Sequence, residues 1–378
     1  MRLIIAFVVL LFPQLLFAQQ AALPISAPPP VAAKAYLLLD FNSAQPLVSQ
    51  NPDERVEPAS LTKLMTAYLA FSALKQKTIK PDQIVPVSER AWRTEGSRMF
   101  IEPRKPVTVD ELLRGVIVQS GNDACIALAG AIAGSEEVFA QMMNREAQRL
   151  GMKNTSFMNS TGLPHPQHYS TAHDLALLAA AIIRDFPEYY PLYSLKEFRY
   201  NNITQANRNR LLWLDTTVDG MKTGYTENAG YCLITSAKRD RQRLISVVLG
   251  TASESARATE SQKLLNYGFQ FYDSVRLYER NQPVATLQVW KGSGNNVKAG
   301  FASDAYLSLP KGQGDKLKAS VESLQPLLAP ISAGQKVGIM KLALDGKPFR
   351  ELPVVALESV PLAGIFGRGW DSLRLLFK

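Results

Sequence analysis

The feature that most constrains the fold is a change in sequence periodicity near Ser274. Between Ser60 and about Gln270, stretches with apolar residues at helical spacing alternate with strand-like stretches. From Ser274 to about residue 358 the pattern is alternating instead, broken by Gly, Pro and Asp-Gly turns, as in "KVGIMKLALDGKPFRELPVVAL". The 378-residue chain therefore predicts an α/β domain with an antiparallel sheet and a helical subdomain, followed by a small β-rich domain.

Local patterns predict several elements of the first domain. Residues 35–40 read as a strand, and "YCLITSAKRDRQRLISVVLGTA" reads as two antiparallel strands joined by a charged turn. The capping-box spacings from Thr108 to Glu111 and from Thr171 to Asp174 predict helix starts. The stretch "TESQKLLNYGFQFYDSV" predicts the last helix of the domain.

The N-terminal segment has the layout of a cleaved secretory signal. Arg2 precedes an apolar run over residues 3–12, and Pro13 and small residues follow, which predicts cleavage after Ala18. An uncleaved anchor is the alternative, but the run is short for a membrane span. Residues 19–31 are rich in Pro and Ala and predict an extended leader outside the core.

Export would place the two cysteines in an oxidising compartment. Cys125 and Cys232 both lie in apolar surroundings, so we expect two buried free thiols rather than a disulfide. The net charge of +9 suits an anionic membrane or a polyanionic wall. Nucleic acid is not expected as a partner, because the chain is predicted to be exported and its sequence lacks a basic recognition motif with interleaved aromatic residues.

The C-terminal stretch 359–378 predicts an amphipathic helix, "PLAGIFGRGWDSLRLLFK". Large apolar residues fall on one face: Leu362, Ile365, Phe366, Trp370, Leu373, Leu376 and Phe377. Charged residues fall on the other: Arg368, Asp371, Arg374 and Lys378. This pattern predicts a membrane-surface anchor. The alternative is a last helix that packs on the protein's own core.

The stretch "EPASLTKLMTAY", residues 57–68, predicts an amphipathic helix. A serine and a lysine on its less apolar side are candidates for nucleophilic chemistry. Ser60 and Lys63 are three residues apart, so a helix would make them neighbours. A neutral lysine amine could take the serine proton if burial and nearby positive charge lowered its pKa. One such pair is weak evidence, since the chain contains two more, Ser72–Lys75 and Ser308–Lys311, and lysine is usually solvated.

Two further motifs strengthen the case for Ser60. Ser120-Gly121-Asn122 interrupts two apolar helical runs and would present a serine and an amide at a helix junction. Lys222-Thr223-Gly224 leads into the predicted strand pair, where a cation and a hydroxyl could meet an anionic substrate. Gly224, lacking a side chain, would let a substrate backbone approach the strand closely.

The order of the three motifs is that of the penicilloyl-serine enzymes, Ser-x-x-Lys, Ser-x-Asn and Lys-Thr-Gly. Ser308 and a second Ser-Gly-Asn beginning at Ser293 come too late in the chain. Ser72 is in order but lies twelve residues beyond Ser60, on a different face of the same helix. Only Ser60 satisfies both order and context.

The chain resembles the D-alanyl-D-alanine carboxypeptidases among the low-molecular-mass penicillin-binding proteins. The resemblance rests on "PASLTKLMTAY", "SGNDACIALA", "NSTGLPHPQHYSTAHDLA", "NRNRLLW" and "VDGMKTGYTENAGYCL". It implies a β-lactamase/transpeptidase-like, penicillin-binding serine peptidase domain over residues 32–274. The β-rich domain, 275–358, and the amphipathic C-terminus resemble the longer, membrane-associated members. Some relatives carry histidine at the position of Tyr225, and the loop "STGLPHPQHYS" is rich in Pro and His.

The resemblance implies roles for the matching residues. Ser60 would attack the carbonyl of the penultimate D-Ala, with Lys63 as general base. The backbone N–H groups of Ser60 and Tyr225 would form the oxyanion hole. Ser120 and Lys222 would deliver a proton to the leaving D-Ala, and Asn122 would bind the substrate amide. Thr223 would bind the terminal carboxylate, together with Arg208 or Arg257.

The predicted function is therefore a periplasmic serine D,D-carboxypeptidase, attached peripherally to the outer face of the inner membrane. Its expected partners are peptidoglycan stem peptides and, as inhibitors, β-lactams. A D,D-endopeptidase with the same motifs is the close alternative. A wall scaffold with little turnover is another, although it would not need Lys63 or Lys222. A class A β-lactamase is disfavoured, because Ser-Asp-Asn is Ser-Gly-Asn here and no counterpart of the deacylating glutamate is found.

No cofactor or metal is predicted. The three histidines, His165, His168 and His173, lie within nine residues and invite comparison with a zinc site. No carboxylate completes a zinc-binding spacing, and the prolines around them predict a turn-rich loop. Asp174 is predicted to belong to a helix cap instead.

Overall fold

A computed structural model describes residues 27–375, apart from the side-chain surroundings at positions 366, 369 and 373. The predicted signal, residues 1–18, and most of the leader lie outside this range. The strands of the first domain are β1 (Ala35–Asp40), β2 (Gln45–Gln50), β3 (Glu197–Tyr200), β4 (Ile203–Ala206), β5 (Val218–Thr226), β6 (Gly230–Arg239) and β7 (Gln242–Thr251). Its helices are α1 (Lys63–Lys75), α2 (Glu89–Arg93), α3 (Val109–Arg114), α4 (Asn122–Ala133), α5 (Glu136–Arg149), α6 (Ala172–Asp185), α7 (Leu211–Leu214) and α8 (Glu254–Phe271).

The first domain is built on an antiparallel sheet with the strand order β2-β1-β7-β6-β5. Both faces of the sheet are covered, as its alternating side chains show. Leu37 and Leu39 belong to the core shared with α1 and α6, whereas Tyr36 and Leu38 belong to the core beneath α8. This arrangement confirms the predicted α/β class with an antiparallel sheet.

Helix α1 lies inside the helical subdomain and is buried almost all round. Its side chains from Lys63 to Phe71 are all buried, including the polar residue Thr66. The prediction of an amphipathic helix across residues 57–68 was wrong in two respects. Ser60 lies in a preceding 3-10 turn, Ala59–Thr62, and α1 has no polar face because neighbouring elements pack against every side of its first turns.

The two predicted capping boxes have different outcomes. Thr108 and Glu111 form the full reciprocal box at the start of α3. At the start of α6, Thr171 accepts a hydrogen bond from the Asp174 N–H, but the Asp174 carboxylate accepts from the Asn154 N–H at 2.8 Å and from the Thr155 hydroxyl at 2.7 Å. Asp174 therefore joins the preceding loop to α6 instead of completing the cap.

The second domain is β-rich, as predicted. Its strands are β8 (Tyr272–Tyr278), β9 (Pro283–Trp290), β10 (Asn296–Gly300), β11 (Ala305–Pro310), β12 (Leu317–Ser323), β13 (Leu327–Leu328), β14 (Lys336–Leu344) and β15 (Lys347–Ala356). The main sheet has the order β12-β14-β15-β10-β9-β13, and β8 pairs with β11. Helix α8 ends at Phe271, four residues before the predicted end, because residues 272–278 alternate inward and outward as a strand. The predicted boundary at 274 thus falls inside β8.

The two domains meet at a buried polar cluster around the β1–β2 turn. The Asp40 carboxylate is fully buried and accepts hydrogen bonds from the Ser43 N–H at 2.8 Å and the Ser274 hydroxyl at 3.2 Å. The hydroxyls of Ser43 and Ser308 are 2.6 Å apart, and Arg350 donates to the Ser43 carbonyl at 3.2 Å. Hydrogen bonds to buried charged groups are among the stronger ones, so this cluster joins the domains firmly.

A C-terminal helix, α9 (Ile365–Leu375), follows the second domain. It starts six residues later than the predicted stretch 359–378, because Val360 and Leu362 instead form β-bridges with Ile331 and Gly292. Residues 376–378 lie outside the described range. No helix within residues 27–375 combines the length and apolar character needed to cross a bilayer.

Candidate active site

Ser60 and Lys63 are in direct contact. Nζ of Lys63 donates to Ser60 Oγ at 2.9 Å and to the Thr161 carbonyl oxygen at 2.6 Å. The Lys63 side chain is 1% exposed, and this burial lowers its pKa to about 8. A lysine with such a pKa is neutral often enough near pH 8 to accept a proton from the serine.

The Ser-Gly-Asn motif forms the second part of the site. A π-helical turn, Gly115–Gln119, ends at Ser120, whose backbone adopts a left-handed conformation with φ of 66°. The buried Ser120 hydroxyl has no hydrogen-bond partner among residues 27–375. Strained backbone and an unpaired polar group are both unfavourable, and together they indicate a functional position.

Asn122 fixes this turn to the neighbouring loop. Its side-chain amide donates to the Glu95 carbonyl at 2.6 Å, and its backbone N–H donates to the Ser97 carbonyl at 2.7 Å. The predicted presentation of a serine and an amide at a helix junction is therefore observed, at the start of α4.

The Lys-Thr-Gly motif lies on strand β5, beside the nucleophile. Lys222 and Thr223 are buried, and burial, reinforced by the charge of Lys63, lowers the pKa of Lys222 well below its usual value. Gly224 lines the cleft, and its missing side chain also has a packing role that the sequence did not predict. A Cβ there would lie 3.1 Å from the Pro58 carbonyl and 3.2 Å from Leu61, so the missing side chain lets β5 approach the Ser60 segment.

Two arginines and a tyrosine complete the predicted set. Arg257 is 5% exposed and donates to the Gly224 carbonyl at 3.3 Å. It also forms an ion pair with Glu254 at 3.6 Å, and burial lowers the pKa of Arg257. Arg208 is exposed at the edge of the same cleft. The half-exposed Tyr225 ring packs against Tyr231, with centroids 4.4 Å apart.

All ten predicted site residues fall at one cleft with a volume of about 680 Å³. Eight line it: Ser60, Ser120, Asn122, Arg208, Thr223, Gly224, Tyr225 and Arg257. Lys63 and Lys222 are buried behind it. The decoy serines lie elsewhere: the half-buried Ser72 accepts from the Gln76 side chain near the C-terminal end of α1, and Ser308 lies at the domain junction.

Sequence reasoning missed the contribution of the loop at Thr161. The Thr161 carbonyl oxygen accepts from Lys63, and the next residue, Gly162, has a φ of 83°. A Cβ on Gly162 would lie 1.8 Å from the Ala59 carbonyl oxygen, so only glycine fits there. The Thr-Gly pair in "NSTGLP" was the available signal.

Two buried or half-buried carboxylates hold the walls of the cleft and were also missed. Glu57 accepts from the Thr226 hydroxyl at 2.9 Å and the Asn228 amide at 3.1 Å, which ties the end of β5 to the Ser60 segment. Asp123 accepts from three consecutive backbone N–H groups of the loop before α3, at residues 99–101, over 2.8 to 3.2 Å. A lone carboxylate has no motif spacing, so no sequence signal was available.

The three histidines serve separate roles. His168 is buried, accepts at Nδ1 from the Met158 N–H at 3.2 Å, and lies 2.8 Å from the Thr62 hydroxyl through Nε2. Burial lowers the pKa of His168 to about 4. His173 pairs with Asp53 at 3.3 Å. In the described part of the chain, no three His, Cys, Asp or Glu side chains are grouped so that they could hold a metal ion. Cys125 and Cys232 are buried free thiols, as predicted.

Both domains of the chain match known protein families. Residues 22–253 match the family model described as D-alanyl-D-alanine carboxypeptidase. The chain belongs to the D-alanyl-D-alanine carboxypeptidase family. Residues 272–362 match the model of the penicillin-binding protein 5 C-terminal domain.

Individual relatives agree with this family. The chain is 44% identical over 357 residues to D-alanyl-D-alanine carboxypeptidase DacC of Escherichia coli, covering 92% of this chain and 89% of that protein. Penicillin-binding protein 5 of Haemophilus influenzae superposes with a TM-score of 0.85 at 43% identity, covering 89% and 99% of the two chains. The ampicillin-bound form of penicillin-binding protein D2 of Listeria monocytogenes gives a TM-score of 0.60 at 30% identity, covering 65% of this chain and 100% of that one.

These matches confirm the predicted family, the two-part fold and the enzyme class, a serine D-alanyl-D-alanine carboxypeptidase.

Proposed function

We propose that this carboxypeptidase family member removes the terminal D-Ala from peptidoglycan pentapeptide stems through an acyl-Ser60 intermediate. The observation that carries the proposal is the 2.9 Å contact between Ser60 Oγ and a buried lysine of lowered pKa. The proposed substrate follows from the relatives DacC and DacA, which are D-alanyl-D-alanine carboxypeptidases.

In the acylation step, neutral Lys63 takes the proton of the Ser60 hydroxyl as Oγ bonds to the carbonyl carbon of the penultimate D-Ala. The developing oxyanion is stabilised by the N–H groups of Ser60 and Tyr225. Gly224 supports this geometry, because its missing Cβ lets β5 lie against residues 58–61. The C–N bond then breaks, and the leaving D-Ala amine receives a proton through Ser120 and Lys222.

The substrate would be held at both ends of the scissile bond. The Asn122 side chain would bind the peptide amide, and the Thr223 hydroxyl would bind the terminal carboxylate, with positive charge from Arg257 and Arg208. Water then attacks the acyl carbon, the ester bond to Ser60 breaks, and the serine recovers its proton.

β-Lactams are proposed as inhibitors that acylate Ser60. The support is the similarity of this chain, at 30% identity, to the Listeria protein in its ampicillin-bound form. Intact-mass spectrometry of the penicillin-treated protein should show one adduct, absent from Ser60→Ala and retained by Ser72→Ala. Labelling of the Ser60→Ala protein would reject the assignment.

Product analysis separates the carboxypeptidase from its close alternative. The protein is incubated with pentapeptide monomers and cross-linked dimers, and the products are identified by mass spectrometry. Loss of one alanine from monomers, with dimers intact, is expected. Cleaved dimers with untouched monomers would make the protein an endopeptidase, and neither reaction with retained penicillin labelling would favour the scaffold.

We further propose that the protein is exported and attached to the outer face of the inner membrane by its C-terminal helix. Asp371 accepts from the Lys291 N–H at 2.6 Å, which directs the polar side of α9 to the second domain. Ile365 and Trp370 are 77% and 63% exposed. Large apolar side chains exposed on a short terminal helix favour a bilayer surface.

Liposome flotation tests this attachment. The protein ending at residue 364 and the double variant Ile365→Glu, Trp370→Glu should both lose flotation with anionic liposomes, whereas the exposed-residue control Trp213→Glu should not. Equal flotation of all four proteins would reject the anchor. The domain limits predicted from the sequence are 32–274, 275–358 and 359–378. We propose to move the first limit from 274 to 271, because β8 begins at Tyr272 and pairs with β11.

A further inference from the structure

Arg98 lies at the cleft but belongs to none of the three motifs. It comes from the loop at residues 95–101 and lines the same cleft as Ser60, together with Phe100. We propose that Arg98 binds a second carboxylate of the substrate, carried by the side chain of the stem residue that precedes D-Ala-D-Ala. The inference rests on the proposed function and specifies which stem peptides the enzyme prefers.

The loop that carries Arg98 is held rigidly beside the Ser-Gly-Asn motif. Asp123 binds the N–H groups of residues 99–101, and Asn122 binds the carbonyls of Glu95 and Ser97. Phe100 is kept at a φ of 68°, which a phenylalanine seldom adopts. A strained residue persists only where surrounding bonds over-determine it, so the position of the loop relative to Ser120 is fixed.

The Arg98 guanidinium is oriented but has no anionic partner in the described range. Its Cζ lies 5.3 Å from the centroid of the Phe100 ring. Among residues 27–375, no carboxylate oxygen lies within 4 Å of its nitrogens, and the Gln205 amide contacts only its backbone carbonyl. A guanidinium packed on an aromatic ring keeps its N–H edge available, and that edge matches a carboxylate with two parallel hydrogen bonds.

The charge distribution in the cleft favours a doubly anionic ligand. On the β5 side, Arg257 and Arg208 accompany Thr223 and suffice for a terminal carboxylate. The lining contains one acidic residue, Glu254, and that lies 3.6 Å from Arg257. Arg98 adds positive charge on the other side, where Ser120 and Asn122 lie. A stem peptide with only its terminal carboxylate would leave this charge without a partner.

The test compares two pentapeptides that differ at one group. Each carries meso-diaminopimelate before D-Ala-D-Ala, with its side-chain carboxylate either free or converted to the isosteric carboxamide. We expect kcat/KM about ten-fold higher for the free acid in the wild-type enzyme, as one charge-assisted contact would give. The ratio should fall toward one in Arg98→Gln and below one in Arg98→Glu, and it should shrink with added salt.

Arg104→Gln is the matched control, because Arg104 follows in the same region, is exposed and does not line the cleft. It should leave the ratio unchanged. A wild-type ratio of one, or a ratio that survives in both Arg98 variants, would overturn the inference while D-Ala release upheld the proposed function. If neither peptide loses D-Ala, both proposals fail. Penicillin labelling of each variant at Ser60 verifies that the fold is intact.

Discussion

The imidazole of His168 and the hydroxyl of Thr62 are 2.8 Å apart, and this contact links the loop before α6 to the segment that carries the proposed catalytic pair. Nδ1 of His168 accepts from the Met158 N–H, so Nε2 carries the proton and donates to Thr62. The same loop supplies the Thr161 carbonyl that Lys63 contacts. The neutral imidazole therefore joins the loop before α6 to the 3-10 turn that carries Ser60.

Protonation of His168 should destabilise the protein in mild acid. Its pKa in the fold is about 4, below the usual 6.5, so between these values the unfolded chain binds a proton that the native protein does not. This contribution is complete above pH 6.5 and is lost as the pH falls toward 4, about 3 kcal/mol in all. Urea unfolding across this range should be less pH-dependent in His168→Gln. The exposed control His165→Gln should keep the wild-type slope, and equal slopes in all three would contradict the assignment.

Acylation should require the neutral form of Lys63. Because its pKa is about 8, the rate of penicillin acylation should rise nearly ten-fold per pH unit below that value and level off above it. Stopped-flow measurement of the second-order rate constant from pH 6 to 10 checks this. A profile that is flat through pH 8 would argue against Lys63 as the base. Lys63→Arg, which cannot deprotonate, should lose acylation at every pH.

Loss of the Glu57 carboxylate should slow acylation more than it affects folding. Without it, Thr226 and Asn228 lose their common partner, and the Tyr225 N–H is less well fixed against Ser60. Misplacement of that donor should cost about ten-fold to a hundred-fold in rate. Glu57→Ala is compared with Glu54→Ala, an exposed acid three residues away, by penicillin acylation and thermal unfolding. Equal rates in the two variants would remove Glu57 from a positioning role.

Asp123→Asn should destabilise the first domain by about 2 to 4 kcal/mol, because a buried carboxylate with several N–H donors would be replaced by a group that itself carries donors. Asp123 is 1% exposed. Asp110→Asn is the control, since Asp110 pairs with Arg114 at the surface and should change stability by less than about 1 kcal/mol. Chemical denaturation of both proteins measures the difference. A comparable loss in the two variants would show that the loop is not held by Asp123.

The sequence predicted those features that depend on spacing and order. Helical and alternating patterns gave the two-domain architecture, and the order of three motifs selected Ser60 over Ser72 and Ser308. It could not predict contacts between distant single residues, such as Glu57 with Thr226 or Lys63 with Thr161, because one residue has no periodicity. Gly224 shows a related limit: the pattern marked it as special, but only the packed structure shows that the nucleophile segment occupies the space where its Cβ would be.

The position of β1 inside the first sheet has a consequence for how the protein is made. Leu37 pairs with Val247, so the N-terminal hairpin lacks its second neighbour until the ribosome has passed β7. Until then β1, one of the most apolar strands, has a partner along one edge only, and the core of the domain is incomplete. The chain therefore cannot complete its fold until most of this domain has been translated. An incompletely folded chain of this kind can pass through a narrow secretion channel without a folded domain first having to be unfolded.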